Sequence, residues 1–152
     1  MCTMKLLFAT DLNEPRYITD AAQQLASRLD AELFVVHVYV PSPATPLGVD
    51  PLSGFGEVSY ALYDPTVEAS IVEAEQHDFD TFVLERFERP VRPALHSGDP
   101  ARVILEDATR LDVDMILLGK PRHSAIERML LGSVTNTVAR ESKQMVLLIP
   151  MT

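Results

Sequence analysis

The sequence predicts an α/β fold: a doubly wound, five-stranded parallel sheet with helices on both faces. The whole chain, residues 1–152, is expected to form a single domain. Two observations carry this. Short apolar runs alternate along the chain with segments of helical period, and several runs are apolar at nearly every position. Continuous apolarity is the mark of strands buried on both faces of a parallel sheet.

The strand candidates are "KLLFA" (5–9), "ELFVVHVYV" (32–40), "VRPALHS" (91–97), "MILLG" (115–119) and "MVLLIP" (145–150). Between the first two, "PRYITDAAQQLASRL" sets Ile18, Ala22, Leu25, Ala26 and Leu29 on one stripe. Asn13 suits the N-cap there, and Pro15 the first turn. Asp64 to Phe87 reads as a second helix, with Asp64 as cap and Pro65 at its start. Its acidic residues Glu68, Glu73, Glu75, Asp78 and Asp80 are expected to form a solvated face. "PARVILEDATRL" places Ile104, Ala108 and Leu111 together, with Asp99 as cap and Pro100 at the first helical position. "VTNTVARES" is a short helix that begins at Gly132-Ser133. Residues 41–60 carry four prolines and three glycines without periodicity, and read as a long loop that covers a site or moves.

Right-handed crossovers put helices on both faces of such a sheet. If the strand order is 3-2-1-4-5, the first and fourth strands adjoin where the winding reverses. Asp11 and Gly119 end those two strands, and ligands of open α/β sheets sit at that point.

Composition excludes several functions. A hydrophobic fraction of 47% and a charged fraction of 23% suit an ordinary globular chain. The net charge is −9, with no cluster of Lys or Arg, which argues against a nucleic-acid partner. The single cysteine, Cys2, leaves no internal disulfide and no cysteine-built metal site. "MCTMKLLFATD" reads as a buried strand rather than a signal peptide, and no apolar run reaches membrane-spanning length. A cytoplasmic location is the expectation.

"GKPRHSAIERMLLGS" (119–133) is the segment richest in chemistry. It is not a Walker A loop, because the Gly-Lys-Ser/Thr ending is missing. No GxGxxG follows the first strand, and no GxSxG elbow is present. No nucleophile or general base identifies itself, so no catalytic residue is assigned. His96 and His123 lack partners at metal spacing, and His37 within its strand is expected to be a hydrogen-bonded core residue.

In order and spacing, "KLLFATDLNEP", "LFVVHVY", "HSGDPARVILEDA", "DVDMILLGK", "LLGSVTNTVARES" and "QMVLLIP" together resemble the universal stress protein family over nearly the whole chain. The resemblance implies the α/β sheet, a homodimer, and membership of either an ATP-binding or a non-binding branch. In the binding branch the phosphate segment reads glycine, two residues, glycine, nine residues, then Gly-Ser or Gly-Thr. Here Gly119 and Gly132-Ser133 match, and Arg122 replaces the second glycine. The resemblance also implies Asp11 near the nucleotide and backbone groups of Val38 at the adenine. It places the turn at Gly98 and Asp99 near the site.

Each of these residues also has a purely structural explanation. Asp11 and Ser133 are ordinary helix caps, and Gly98-Asp99-Pro100 makes a turn, a cap and a helix start. Thr135 and Thr137 suit packing or surface positions. Tyr39 and Tyr60 are candidates to flank an adenine. Arg122 cuts both ways. A side chain there costs on the order of 1 kcal/mol if the backbone needs positive φ, yet a guanidinium is a strong phosphate ligand.

The expectation adopted is a regulatory adenine nucleotide (ATP, ADP or AMP), with or without magnesium. Asp11, Val38, Gly119, Arg122, Gly132 and Ser133 would line its site, and any hydrolysis would be slow. A decayed site would have little reason to keep Gly119, Gly132, Ser133 and Asp11 together. The rival is a nucleotide-free dimeric module of the same family, its phosphate loop altered by Arg122 and its 41–60 loop open to a protein partner. The apolar last strand would be a sheet edge, which invites pairing with a two-fold mate.

Overall fold

The computed structural model describes residues 3–41, 65–120 and 132–151. Residues 42–60 of the long loop, the Asp64 cap, Arg122 and His123 lie outside the described residues. Five strands and four helices alternate among those described. They are β1 (Lys5–Thr10), α1 (Arg16–Arg28), β2 (Glu32–Tyr39), α2 (Pro65–Arg86), β3 (Arg92–Ser97), α3 (Pro100–Arg110), β4 (Met115–Lys120), α4 (Ser133–Glu141) and β5 (Met145–Pro150). All strand pairings are parallel, as the alternation of segments predicts, and the order is β3-β2-β1-β4-β5, the order assumed from the sequence.

The all-apolar run of β1 is explained by its central place. Leu6 and Phe8 face α1 and α2 in a core with Ile18, Ala22, Val35 and Phe79. Leu7 and Ala9 face the opposite way, into a core with Val36, Ile104, Ala108, Ile116 and Val138 beneath α3 and α4. Each fully buried Leu or Phe contributes about 1.5–3 kcal/mol, so a strand buried on both faces favours an apolar run such as Leu6–Ala9.

Local signals hold in part. Asp99 caps α3 by accepting from the Arg102 amide at 2.9 Å, with Pro100 following at the helix start. Gly98 has φ +132°, a conformation that side-chain-bearing residues rarely adopt, so its glycine has a backbone reason. The expected Asn13 cap does not form: α1 starts from Pro15 without a side-chain cap bond. Asn13 instead donates its amide to Asp11 Oδ1 at 2.8 Å, a local Asx turn that competes with capping. Ser133 is likewise not the cap of α4: Gly132 is, and Ser133 is the first helical residue. The acidic face of α2 is solvated except at Glu75, which is half-buried and meets His37.

Candidate functional site

The strands β1 and β4 pair up to Ala9 and Leu118, and the helices that follow them, α1 and α4, pack on opposite faces of the sheet. A cavity of about 280 Å³ opens at this divergence. Its lining includes Asp11, Val38, Gly119, Gly132 and Ser133, five of the six residues singled out from the sequence. Arg122, the sixth, lies outside the described residues.

The last β1–β2 pair is Thr10 with His37, so Val38 extends past the end of its neighbour on that side. Its other neighbour is His96 of β3. The backbone of Val38 therefore sits where the sheet has opened, which is how a strand can offer main-chain groups to a planar ligand. Tyr39 does not line this cavity; it borders a groove between the end of β2 and α2.

Gly119 and Gly132 lack side chains for different reasons. A Cβ on Gly119 would stand 2.7 Å from Met151 Cε and 3.4 Å from Glu14 Cγ, so its glycine reflects close packing. A Cβ on Gly132 would meet nothing within 4 Å, and its φ is −50°. The fold thus requires no glycine at 132. What glycine does there is start α4 without a side-chain cap hydrogen bond from the cap residue to its first-turn amides. Such an end carries a partial positive charge and free N–H donors, a setting for phosphate. This is the observation of the structure with which a nucleotide fits.

Glu14, Thr135 and Met151 line the cavity although the sequence reading did not assign them to the site. Thr135, expected in packing or at the surface, is buried in the cavity wall. Met151 continues the β4–β5 ladder through its amide to the Lys120 carbonyl at 2.9 Å and lays its thioether over Gly119. Glu14 is 3% exposed. It accepts from the Thr10 hydroxyl at 2.6 Å and from the Asp11 amide at 3.0 Å. Burial, opposed by the Thr10 hydrogen bond and reinforced by the Asp11 charge, raises its carboxyl above the ordinary value. A charged residue inside the turn after the first strand was the signal that could have found it.

Leu12, between Asp11 and Asn13, has φ +68°, and its amide donates to Thr10 Oγ1 at 2.9 Å. The turn that presents Asp11 therefore holds a non-glycine residue in the left-handed region, at a cost of about 1–2 kcal/mol. His37 is the buried, hydrogen-bonded histidine expected: Nδ1 donates to the Thr10 carbonyl at 2.8 Å, and Nε2 lies 3.4 Å from Glu75. His96 Nε2 is 2.7 Å from Asp107, a buried carboxylate that also takes Arg110 at 2.7 Å. Among the described residues no group of three or more His, Cys, Asp or Glu could hold a metal ion. No helix among them is long and apolar enough to cross a membrane.

Known proteins share this arrangement. Among solved structures, a universal stress protein in complex with cAMP matches with a TM-score of 0.64 at 21% identity, over 100% of both chains. The Archaeoglobus fulgidus universal stress protein in complex with dAMP matches at 0.58 and 19%, over 98% of this chain and 99% of that one. In sequence, universal stress protein A homolog 2 of Coxiella burnetii is 26% identical over 89% of this chain and 85% of its own. A universal stress protein of Methanocaldococcus jannaschii is 26% identical over 84% of this chain and 70% of its own. The family model for the universal stress protein family matches residues 3–150. With the strand order, the cavity at the winding reversal and a match of that extent, the chain belongs to the universal stress protein family.

Proposed function

We propose that this chain is a cytoplasmic stress-response protein that binds an adenine nucleotide as a regulatory ligand and works as a homodimer. The observation that carries the reading is the convergence of Asp11, Val38, Gly119, Gly132 and Ser133 on one cavity at the winding reversal. Complexes of two structural neighbours with cAMP and dAMP support an adenine nucleotide as its occupant. In this reading Val38 offers main-chain groups to the base, and Asp11 lies near the ribose or a magnesium ion. Phosphate lies against Gly119 and the amino end of α4 at Gly132-Ser133, with Arg122 as a further ligand.

The dimer is proposed through β5. Among the described residues this strand pairs only with β4, and it exposes Met145 by 54% and Leu147 by 40%. An apolar strand edge is satisfied by pairing with its own two-fold mate.

Thermal shift with ATP, ADP and AMP tests the ligand, and stabilisation that grows with nucleotide concentration is expected. Absence of any shift at millimolar nucleotide, with and without magnesium, overturns the reading. Arg122→Gly then separates the family's two branches. A change from measurable affinity fits the nucleotide reading, whereas binding that first appears in the variant fits the nucleotide-free module.

A further inference from the structure

We propose that His37 and Glu75 form a proton-operated tie between β2 and α2, which grips the helix when the ring carries a second proton and releases it when that proton leaves. The two partners of the ring carry the argument. His37 Nδ1 lies 2.8 Å from the Thr10 carbonyl oxygen, and Nε2 lies 3.4 Å from Glu75 Oε2. A carbonyl oxygen only accepts, so the hydrogen of a neutral ring sits on Nδ1. That ring then turns a lone pair toward Glu75, whose ionised carboxylate also only accepts. One more proton, on Nε2, converts the opposition into a charge-assisted hydrogen bond. The separation is long beside the ~2.7–3.2 Å of a good N–H···O bond, which leaves room for the contact to tighten.

The pair stands where α2 closes on the sheet. Every residue of the helix from Pro65 to Ala74 is exposed, Glu75 is the first that is not, and Phe79 is the first that is buried. Phe79 follows Glu75 by one turn and sets its ring beside His37, with centroids 6.0 Å apart. His37 lines both the cavity and the groove next to α2, so the tie shares a wall with the candidate site.

Among the described residues no other charged group replaces either partner of the ring. Asp11, Asp78 and Glu85 border the groove, but the ring nitrogens meet only Thr10 and Glu75. Glu14, in the turn after β1, has its oxygens on the Thr10 hydroxyl and the Asp11 amide. Arg86 of α2 donates to the Glu14 carbonyl at 3.2 Å and lies over the Phe82 ring. On the β3 side His37 pairs with Leu95, and the next residue, His96, turns to Asp107. The sign follows from these contacts. The bond to Glu75 is present where the ring is doubly protonated and is lost as pH rises through the histidine range, between about pH 5 and 8.

The test follows amide hydrogen exchange over residues 75–82 of the full chain, corrected for the intrinsic exchange rate, at about pH 6 and about pH 8. In the wild type, protection of this stretch is expected to fall about two- to fivefold from the lower pH to the higher. Glu75→Gln offers an amide N–H to the neutral ring, so the fall is expected to shrink or vanish in that variant. Unchanged or rising protection in the wild type, or an equal fall in both proteins, overturns the proposal. Nitrogen NMR of the histidine rings gives a second reading that needs no variant. The neutral His37 ring is expected to carry its proton on Nδ1 and to gain another on Nε2 as the solution is acidified. A neutral ring protonated on Nε2 instead, or an Nε2 still bare at about pH 5, overturns the proposal.

Discussion

Met151 lies across Gly119, its Cε 2.7 Å from the place a Cβ would occupy. The obstructing atom is the end of a flexible side chain, so Gly119→Ala displaces the thioether at a stability cost of about 1 kcal/mol or less. Since Met151 lines the cavity, the displaced group narrows it. Chemical denaturation is expected to show a near-wild-type midpoint, while nucleotide titration shows at least tenfold weaker binding.

At Gly132 the stability effect is small for another reason. A methyl group there meets open space, and alanine is merely a poorer helix cap than glycine, by roughly 0.5–1 kcal/mol. Gly132→Ala is expected to lower the melting temperature by a few degrees and to weaken phosphate-dependent binding much more. Equal losses for adenosine and AMP would place the phosphate elsewhere.

Glu14 also makes a prediction for the free protein. Its folded-state carboxyl is raised above the ordinary 4.5, so just above that value the folded chain holds a proton the unfolded chain has released. Stability therefore falls as pH rises from 4.5 through the raised value, and the penalty is absent below 4.5. Urea unfolding across this range is expected to show a difference between wild type and Glu14→Gln that grows in favour of the variant with pH.

Asp107 joins β3 to α3 by accepting from His96 and Arg110 while almost fully buried. Removing it loses hydrogen bonds to a charged acceptor, a net cost of about 1–2 kcal/mol because the exposed Arg110 and partly exposed His96 can turn to water. Asp107→Ala is expected to lose stability of that size without changing nucleotide affinity, since neither Asp107 nor His96 lines the cavity.

The exposed β5 edge gives a prediction for assembly. Leu147→Lys places charge at the proposed interface, a device that blocks strand pairing. Light scattering is expected to move from dimer to monomer, and a monomeric wild type at working concentration would remove the dimer from the proposal.

The fold class was legible because strand burial on both faces writes itself as unbroken apolar runs such as "KLLFA" and "MVLLIP". Capping was less so. Asp99 was found at its helix start, but Asn13 and Ser133 were not caps, since an Asx turn and an adjacent glycine competed for those positions. By itself the sequence determined the order of elements, the doubly wound topology and the spacing of Gly119 from Gly132-Ser133, because periodicity and turn chemistry are local properties. Tertiary structure alone decided that Glu14, Thr135 and Met151 wall the same cavity. It also decided that a side chain at Gly119 would have to displace the Met151 thioether. These relationships join residues up to the far end of the chain, and their energies depend on burial and contact distance, which exist only once the strands have paired.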